Sequence, residues 1–529
     1  GRRFGPDEQT GVRGNVAYRD GETSVEDQER ELTVLAFGID HDGENFRLSA
    51  DIGYQDHHID APRPSVTPLG GIPKPPDADS NFAQPWTYTD EEQLFGVVRA
   101  EYDFTRAVSA WAAYGLRQGE EANVLANPSA LPDGSTSSYR FDNTREDDVS
   151  SGEIGLRWDF ATGPIEHRII LSASIFHIES NNAYAFSEFF PGFASDLYDP
   201  VEVAPPAATF FTGGNLNNPG KTFETETSSL AIADMMTFAD GKFILTLGAR
   251  DQDLKSDNFD YNSGAKLSGY DESELTPVGG IVFRPNDSVS LFANYIEGLV
   301  AGDTAPFTGP APGFLPVTNA GEIQDPIAAE QIELGVKFES ASFGGSLSLF
   351  NIEKGVGALA ADPDTVTDDL RYSISGEVRH RGVEAGLYGQ PLENVRVLGG
   401  VTWLDAEYTE GGVGLDEGNQ PIGTPEVQAN VNVEWDLAAL EGVTLEARAL
   451  YTSSQYADTA NTLELDSWTR FDIGARWSTE LAGRPFSLRA RVDNVTDEND
   501  WISAGGFPGF GYLVLGAPRT FVVSASMDF

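Results

Sequence analysis

The sequence has no cysteine, only six histidines and no long apolar run, and each absence excludes a class of protein. Without thiols the chain forms neither disulfides nor thiolate metal sites, and only His57 and His58 are adjacent, so no spaced set of metal ligands emerges. A run of about eighteen apolar residues, as membrane helices need, is missing. Residues 1–5 lack the apolar core of a signal peptide. The sequence therefore predicts no resident metal and no cofactor.

Basic residues are scarce as well, with 34 Lys and Arg against 83 Asp and Glu, a formal net charge of -49. Because such a chain repels a phosphate backbone, nucleic-acid binding is disfavoured. The motifs Gly-x-Ser-x-Gly, His-Glu-x-x-His and a Gly-rich phosphate loop are absent, so we predict that the chain is not an enzyme. At 40% hydrophobic and 11% aromatic residues, it should nevertheless be ordered.

What the sequence does contain is a two-residue period that persists along the whole chain. In residues 47–54, for example, Leu48, Ala50, Ile52 and Tyr54 alternate with polar or small residues. This pattern is typical of a strand with one apolar and one polar face. It predicts about twenty strands, most of about ten to fourteen residues, which is longer than the usual soluble strand.

The connections between these segments alternate between short turns and long polar stretches. We expect long loops at residues 57–91, 118–147, 179–223, 254–272, 299–328, 354–370, 410–425, 453–466 and 494–518. Short turns on one rim and long loops on the other are typical of an outer-membrane barrel. The predicted fold is all-β, a large antiparallel transmembrane β-barrel. A soluble β-rich protein with its apolar faces turned inward is the alternative.

The end of the chain carries a further pattern. The last strand places Phe521, Val523, Met527 and Phe529 on one face and stops at an aromatic residue. A terminal aromatic residue on the outer face resembles the assembly signal of outer-membrane barrel proteins. The barrel assembly machinery is therefore an expected partner, although a plain edge strand would show the same residues.

Several segments together resemble one family. In chain order these segments are 330–337 (EQIELGVK), 381–384 (RGVE), 423–425 (GTP), 491–498 (RVDNVTDE) and 516–521 (GAPRTF). The chain resembles the barrel of a TonB-dependent outer-membrane receptor, most closely the siderophore-receptor branch. The resemblance covers essentially the whole sequence.

The resemblance implies a 22-stranded type of barrel over residues 1–529, of which about twenty strands are visible here. It also implies an N-terminal plug domain, and we expect that plug and the first strands to be missing from this sequence. The implied location is the outer membrane as a multi-pass β-barrel, in contact with lipid and lipopolysaccharide. The implied function is import of a ferric siderophore or similar chelate, driven by the TonB energising complex. Alternatives are a passive channel and an importer of cobalamin or an oligosaccharide.

Candidate ligand contacts are aromatic side chains in the long loops, since aromatic faces suit a compact organic chelate. Interfacial girdles and packing between loops are the alternative for any one of them. The candidates are Trp86, Tyr88, Tyr139, Tyr184, Phe186, Phe189, Phe190, Phe307, Phe314, Trp501, Phe507 and Phe510, with Phe141, Phe210, Phe211 and Tyr261 as further members.

Acidic residues concentrate in the connections, and their best group is Asp362, Asp364, Asp368 and Asp369. Clustered carboxylates suit Ca²⁺, but we favour the alternative interpretation that they form a solvated anionic surface. Glu384, Glu446 and Asp472 are interpreted as charges facing the barrel lumen, where they could meet a plug.

Overall fold

The computed structural model describes residues 1–309, 315–365, 367–507 and 510–528. Nearly all regular structure in these ranges is strand, and the one helical element that they contain is a 3-10 turn at Pro6–Glu8. Among these described residues, no helix has both the length and the hydrophobicity to cross a membrane. The predicted all-β class is confirmed.

The strands fall into two groups, long ones that build a wall and short ones in its connections. In chain order the first fourteen are β1 (Arg2–Phe4), β2 (Thr10–Glu22), β3 (Glu29–Asp42), β4 (Phe46–Asp60), β5 (Thr67–Pro68), β6 (Tyr88–Thr105), β7 (Val108–Ala130), β8 (Ser135–Thr162), β9 (Ile165–Phe186), β10 (Phe193–Asp196), β11 (Phe211–Gly213), β12 (Gly220–Phe238), β13 (Phe243–Phe259) and β14 (Lys266–Asn286). The others are β15 (Val289–Val300), β16 (Ile327–Glu339), β17 (Phe343–Ala361), β18 (Leu370–Leu392), β19 (Val395–Glu410), β20 (Val427–Asp436), β21 (Val443–Thr452), β22 (Gln455–Tyr456), β23 (Glu464–Leu465), β24 (Trp468–Leu481), β25 (Arg484–Asp493), β26 (Trp501–Phe507), β27 (Phe510–Leu515) and β28 (Thr520–Met527).

The long strands form one antiparallel sheet in which each strand pairs with the next long strand along the chain, from β2 to β28. This up-and-down order is that of a barrel wall. Within the described residues no ladder joins the first long strand to the last. However, residues 18–25 of the first edge and 518–521 of the last line one cleft of about 1020 Å³, so the two edges face each other.

The two faces of the wall differ as the alternation predicts. On one face large apolar side chains are exposed, for example Ile154 (62% exposed) and Leu230 (63%). On the other face charged side chains pair across strands: the Arg47 guanidinium contacts the Glu101 carboxylate at 2.8 Å. The apolar face therefore points outward and the charged face lines the interior, as in a membrane barrel.

Two predicted loops are wrong, at residues 118–147 and at residues 254–272, where β13 continues to Phe259 and β14 already begins at Lys266. Residues 118–147 are not an irregular loop, because β7 and β8 continue through them as a long hairpin closed by a turn at 131–134. Gly134 closes that turn with φ 92°, and its amide donates to the Leu131 carbonyl at 2.9 Å. A Cβ at this glycine would overlap the ring of Tyr198, which packs against the turn.

The well-buried apolar core lies among the loops rather than in the wall. It gathers residues from five separate connections: Val66, Phe82, Ala130, Leu197, Ala457, Leu465, Trp501, Ala504, Leu513 and Leu515. Val66 and Leu513 exchange both backbone hydrogen bonds, at 3.0 and 2.7 Å. The loops thus form a packed cap at the long-loop end of the wall.

Arg63 ties the first and last of these loops together. Its guanidinium donates to the carbonyls of Ala78 (2.5 Å), Gly516 (2.8 Å) and Leu515 (3.2 Å). Burial among these neutral acceptors lowers the pKa of Arg63 to about 10. The cation therefore joins the two loops through their backbone carbonyls.

Replacing Arg63 with methionine should loosen the cap while leaving the wall intact. The loss of its donors leaves buried carbonyls unpaired, at a cost of about 1–3 kcal/mol. We expect faster cleavage within residues 61–87 and 494–519 in limited proteolysis of the detergent-solubilised protein. Arg519→Met is the control, because its ion pair with Asp497 is exposed and should contribute little. Equal cleavage of both variants would contradict this role for Arg63.

Candidate ligand-binding surface

An aromatic cluster lies at the long-loop end of β8 and β9, centred on Phe186. The Phe186 ring centroid is 4.6 Å from that of Phe141, 5.2 Å from Phe189, 5.9 Å from Tyr139 and 6.0 Å from Phe211. These spacings are within the range in which aromatic rings attract each other. One side chain therefore contacts rings from three different stretches of chain.

The strand register explains why these rings meet. Phe186 lies directly opposite Phe141 on β8 and Phe211 on β11, so all three project from the same face. That face also carries Asp147, which lies opposite Ser180. Because Asp147 belongs to the charged side of the wall, the cluster faces the interior axis of the barrel rather than the lipid side.

Tyr184 extends the cluster toward a second loop. Its ring lies 4.9 Å from Tyr261, in the turn after β13, and 5.4 Å from Phe211. Burial raises the pKa of the Tyr261 hydroxyl, which keeps this group neutral and able to donate a hydrogen bond. The site thus combines apolar ring faces with neutral hydroxyl groups.

A substantial part of the ring surface is open. Phe190 is 91% exposed, Phe210 60% and Phe211 52%. The Phe210 ring stands edge-on to Phe189 at 5.7 Å. Exposed aromatic surface of this extent is typical of a binding site rather than of a finished core.

Charged side chains beneath the rings are already paired. Arg145 donates to the Asp147 carboxylate at 2.9 Å, and Arg117 lies 3.6 Å from the same group. Nearby on β8, Arg140 forms a bidentate ion pair with Asp142, with distances of 2.7 and 2.8 Å. The cluster therefore offers little free positive charge to an anionic ligand.

Trp86 and Tyr88 belong to a neighbouring group. The Trp86 indole donates to the Val203 carbonyl at 3.0 Å, stands edge-on to Phe193 at 6.3 Å and lies under Arg140 at 5.7 Å. Tyr88 stacks on His58 at 6.1 Å. These contacts fix Trp86 against the loop after β10, beside the Phe186 cluster rather than within it.

The other aromatic candidates are dispersed. Trp501 is only 4% exposed, and its indole donates to the Pro73 carbonyl at 2.8 Å inside the loop core, so we leave it out of the proposed surface. Phe307 is 80% exposed. Phe507 and Phe510 pair through their backbones in the β26–β27 hairpin. Phe314 lies outside the described residues.

The last strand has the predicted two faces. Phe521 and Val523 are 75% and 74% exposed on its apolar side, and Met527 shares that face. Their partners on β25 are Val492, Ala490 and Phe486. Phe529 lies outside the described residues. The assembly role of this strand stays a prediction.

The acidic group after β17 is engaged within its own loops. Asp362 accepts a hydrogen bond from the Thr318 hydroxyl at 2.5 Å and one from the Asp364 amide at 2.9 Å, and the Thr318 bond lowers the pKa of the Asp362 carboxyl. In the described part of the chain, the residues that come together with metal-compatible spacing are instead His177, Glu224 and Glu226. Lys221 already neutralises Glu224 at 2.6 Å.

The comparisons with known proteins agree with this architecture. A family profile described as "TonB dependent receptor-like, beta-barrel" matches residues 27–495. The ferrichrome receptor FcuA of Yersinia enterocolitica is 34% identical over 533 residues, which cover 100% of this chain and 68% of that protein. The ferrioxamine B receptor of Salmonella typhimurium is 24% identical, over 70% of this chain and 48% of its own length.

A solved structure extends the match to the fold. BauA, the ferric preacinetobactin receptor of Acinetobacter baumannii, superposes with a TM-score of 0.87 at 33% identity, covering 100% of this chain and 76% of BauA. These relatives are receptors rather than enzymes, which confirms the prediction of a non-enzyme. The chain spans only part of their length. With a family profile over most of its residues and a relative at 34% identity over its full length, this chain belongs to the TonB-dependent receptor β-barrel family.

Proposed function

We propose that this chain forms the membrane wall and ligand-facing surface of an outer-membrane receptor that takes up a ferric siderophore with energy supplied through TonB. The observation that carries the proposal is the exposed ring cluster around Phe186 on the interior face. Flat apolar faces beside neutral hydroxyl groups suit a compact organic chelate. The names of the relatives, ferrichrome and ferrioxamine B receptors, support this ligand class.

Charge narrows the class of chelate. The chain carries a net charge of -49, and the arginines near the cluster are paired with carboxylates. An overall negative mouth attracts neutral or cationic complexes more than highly anionic ones. We therefore propose a hydroxamate-type ferric complex in preference to a tris-catecholate.

The interior face of the wall supports a partner inside the lumen. Asp472 is 5% exposed and pairs with Arg470 at 2.7 Å, while Glu446 pairs with Arg489 at 2.8 Å. Glu384 lines a polar cavity of about 510 Å³ on the same face. We propose that a plug domain docks on this face and that TonB acts on it. The apolar face of β28 would be the part that the assembly machinery recognises.

Ligand titration tests the receptor proposal. Calorimetry on the detergent-solubilised protein would compare ferric hydroxamate, catecholate and carboxylate complexes, each with its iron-free form, with cobalamin and an oligosaccharide as further ligands. We expect saturable binding of a ferric hydroxamate and none of its iron-free form. Binding of cobalamin or the sugar alone would overturn the iron assignment. Binding of nothing, together with steady conductance in planar bilayers, would replace the receptor with a passive channel.

A further inference from the structure

An apolar trough lies on the interior face of β6–β9, between the ring cluster and the short-turn rim. Phe95 and Val97 of β6 form one side and Phe176 of β9 forms the other, and these side chains are 43%, 43% and 39% exposed. They face the interior because they continue the two-residue period of Glu101 on β6 and Ser180 on β9, which belong to the charged face. Large apolar side chains therefore point into the lumen here.

The floor between the two sides consists of small residues. Val97 lies opposite Gly115 on β7, Gly115 lies opposite Ser151 on β8, and Ser151 lies opposite Phe176. The two sides are thus three strand spacings apart, about 14 Å. The atom nearest to a Cβ added at Gly115 would be the Ser151 hydroxyl oxygen, at 3.3 Å, so no ring or long side chain lies over the floor.

This surface differs from the interior face of β20–β25. There the buried charges are satisfied within the wall, as in the pairs of Asp472 with Arg470 and of Glu446 with Arg489. The trough has no such internal partners, and lipid does not reach a surface that faces the lumen. Contiguous exposed apolar surface of this kind marks a place where another molecule or domain packs.

A cation without an ionic partner borders the trough. Arg99 continues the interior face of β6, and its guanidinium carbon lies 5.9 Å from the centre of the Trp111 ring. The carboxylates around it are engaged elsewhere, since Glu101 pairs with Arg47 at 2.8 Å and Glu153 accepts a hydrogen bond from the Trp111 indole. Among the residues that the structure describes, Arg99 forms no ion pair. The edge of the trough is therefore complementary to an added carboxylate.

We propose that this trough is the apolar docking surface of the lumen plug, which places an apolar side chain between β6 and β9 and a carboxylate on Arg99. The inference rests on the plug proposed above and locates its apolar contact on β6–β9 rather than on the charge-paired strands β20–β25. The matched relatives contain chain beyond the part aligned here, since the match covers 68% of FcuA and 76% of BauA.

Site-directed cross-linking of the receptor isolated from outer membranes tests the contact. Because residues 1–529 contain no cysteine, Val97→Cys introduces one attachment point for a benzophenone maleimide. We expect irradiation to join it to a peptide from outside residues 1–529 that carries an apolar residue close to Asp or Glu. Cross-links to barrel peptides alone would overturn the contact, and a photoproduct on the ferric complex would assign the trough to the ligand instead.

A second attachment point and an intact mass complete this experiment. Ser478→Cys, on the interior face of β24, is the control, and capture of the same peptide from both positions would contradict a specific contact. An intact mass of 57.1 kDa would refute the plug and the contact together, whereas a larger mass without the cross-link would refute the contact alone. Failure to bind a siderophore would leave the cross-link result standing.

Charge reversal tests the role of Arg99. Arg99→Glu should increase the frequency of channel openings in planar bilayers by about tenfold or more, because a carboxylate on the plug would then face a like charge. Arg99→Lys keeps the charge and should stay as closed as the unmodified receptor. Arg106→Glu is the matched control, since this exposed arginine lies in the short turn after β6, outside the trough.

Heat-modifiable gel mobility would establish that each of these variants is folded. Openings that are equally frequent in Arg99→Glu and Arg106→Glu would contradict the contact between Arg99 and the plug.

Discussion

Replacing Asp472 with alanine is expected to lower the free energy of unfolding of the barrel by about 3 kcal/mol. The Asp472 carboxylate is nearly inaccessible and accepts hydrogen bonds from the Arg470 guanidinium at 2.7 Å and from the Asn494 amide at 2.8 Å. Its removal leaves both donors without their acceptor. Arg470 keeps a weaker partner, the Asp493 carboxylate at 3.7 Å, so we expect the lower end of the range for a broken buried pair.

Urea titration of the protein refolded in detergent, followed by tryptophan fluorescence, measures this loss. Asp159→Ala is the matched control, since the Asp159 carboxylate also pairs with an arginine, Arg168, at 2.7 Å on the interior face. That pair is 38% and 48% exposed, so its removal should cost at most about 1 kcal/mol. Equal destabilisation by the two substitutions would show that burial does not set the contribution of Asp472.

Replacing Phe186 with alanine is expected to weaken binding of the ferric complex by about 30-fold or more, equivalent to about 2 kcal/mol. The Phe186 ring contacts Phe141, Phe189, Tyr139 and Phe211, so its loss removes ligand surface and also releases the neighbouring rings. Calorimetric titration of the ligand identified for the unmodified protein gives the change in Kd. The effect should be larger for a neutral hydroxamate complex than for any weakly bound anionic one.

The control for Phe186 is a phenylalanine in a similar ring stack at the opposite rim. Phe243 lies 4.7 Å from Phe283 and 5.4 Å from Phe238, next to a short turn. Phe243→Ala should leave the Kd unchanged, and heat-modifiable gel mobility would establish that both variants are folded. An unchanged Kd in Phe186→Ala would remove the ring cluster from the binding site.

The wall could be predicted from the sequence because a lipid-facing strand needs only the alternation of apolar and polar residues. The prediction from alternation failed at residues 118–147, where β7 and β8 extend beyond the apolar band of the wall. There Glu120 and Glu146 occupy outward positions that carry leucine or isoleucine lower down, so the period of hydrophobicity disappears although the strand continues. Polarity alone did not distinguish an extended hairpin from a loop.

The candidate site could be predicted only in part. Tyr139, Tyr184, Phe186 and Phe189 are joined by one hairpin and its following loop, so their meeting is a local property of the chain. The position of Trp501 is different, because its burial depends on packing among loops far apart in sequence. Composition carries no signal for such packing.

The loop cap also has a consequence for the order of folding. Arg63 and the Leu515 carbonyl that it binds are 452 positions apart, so this contact requires almost the entire chain. Contacts of such large sequence separation form slowly, since the closure entropy must be offset before any interaction is gained. We expect the wall to assemble strand by strand and the cap to close last. Until then Val66, Leu513 and Trp501 stay exposed, which makes a stalled or truncated chain prone to aggregation.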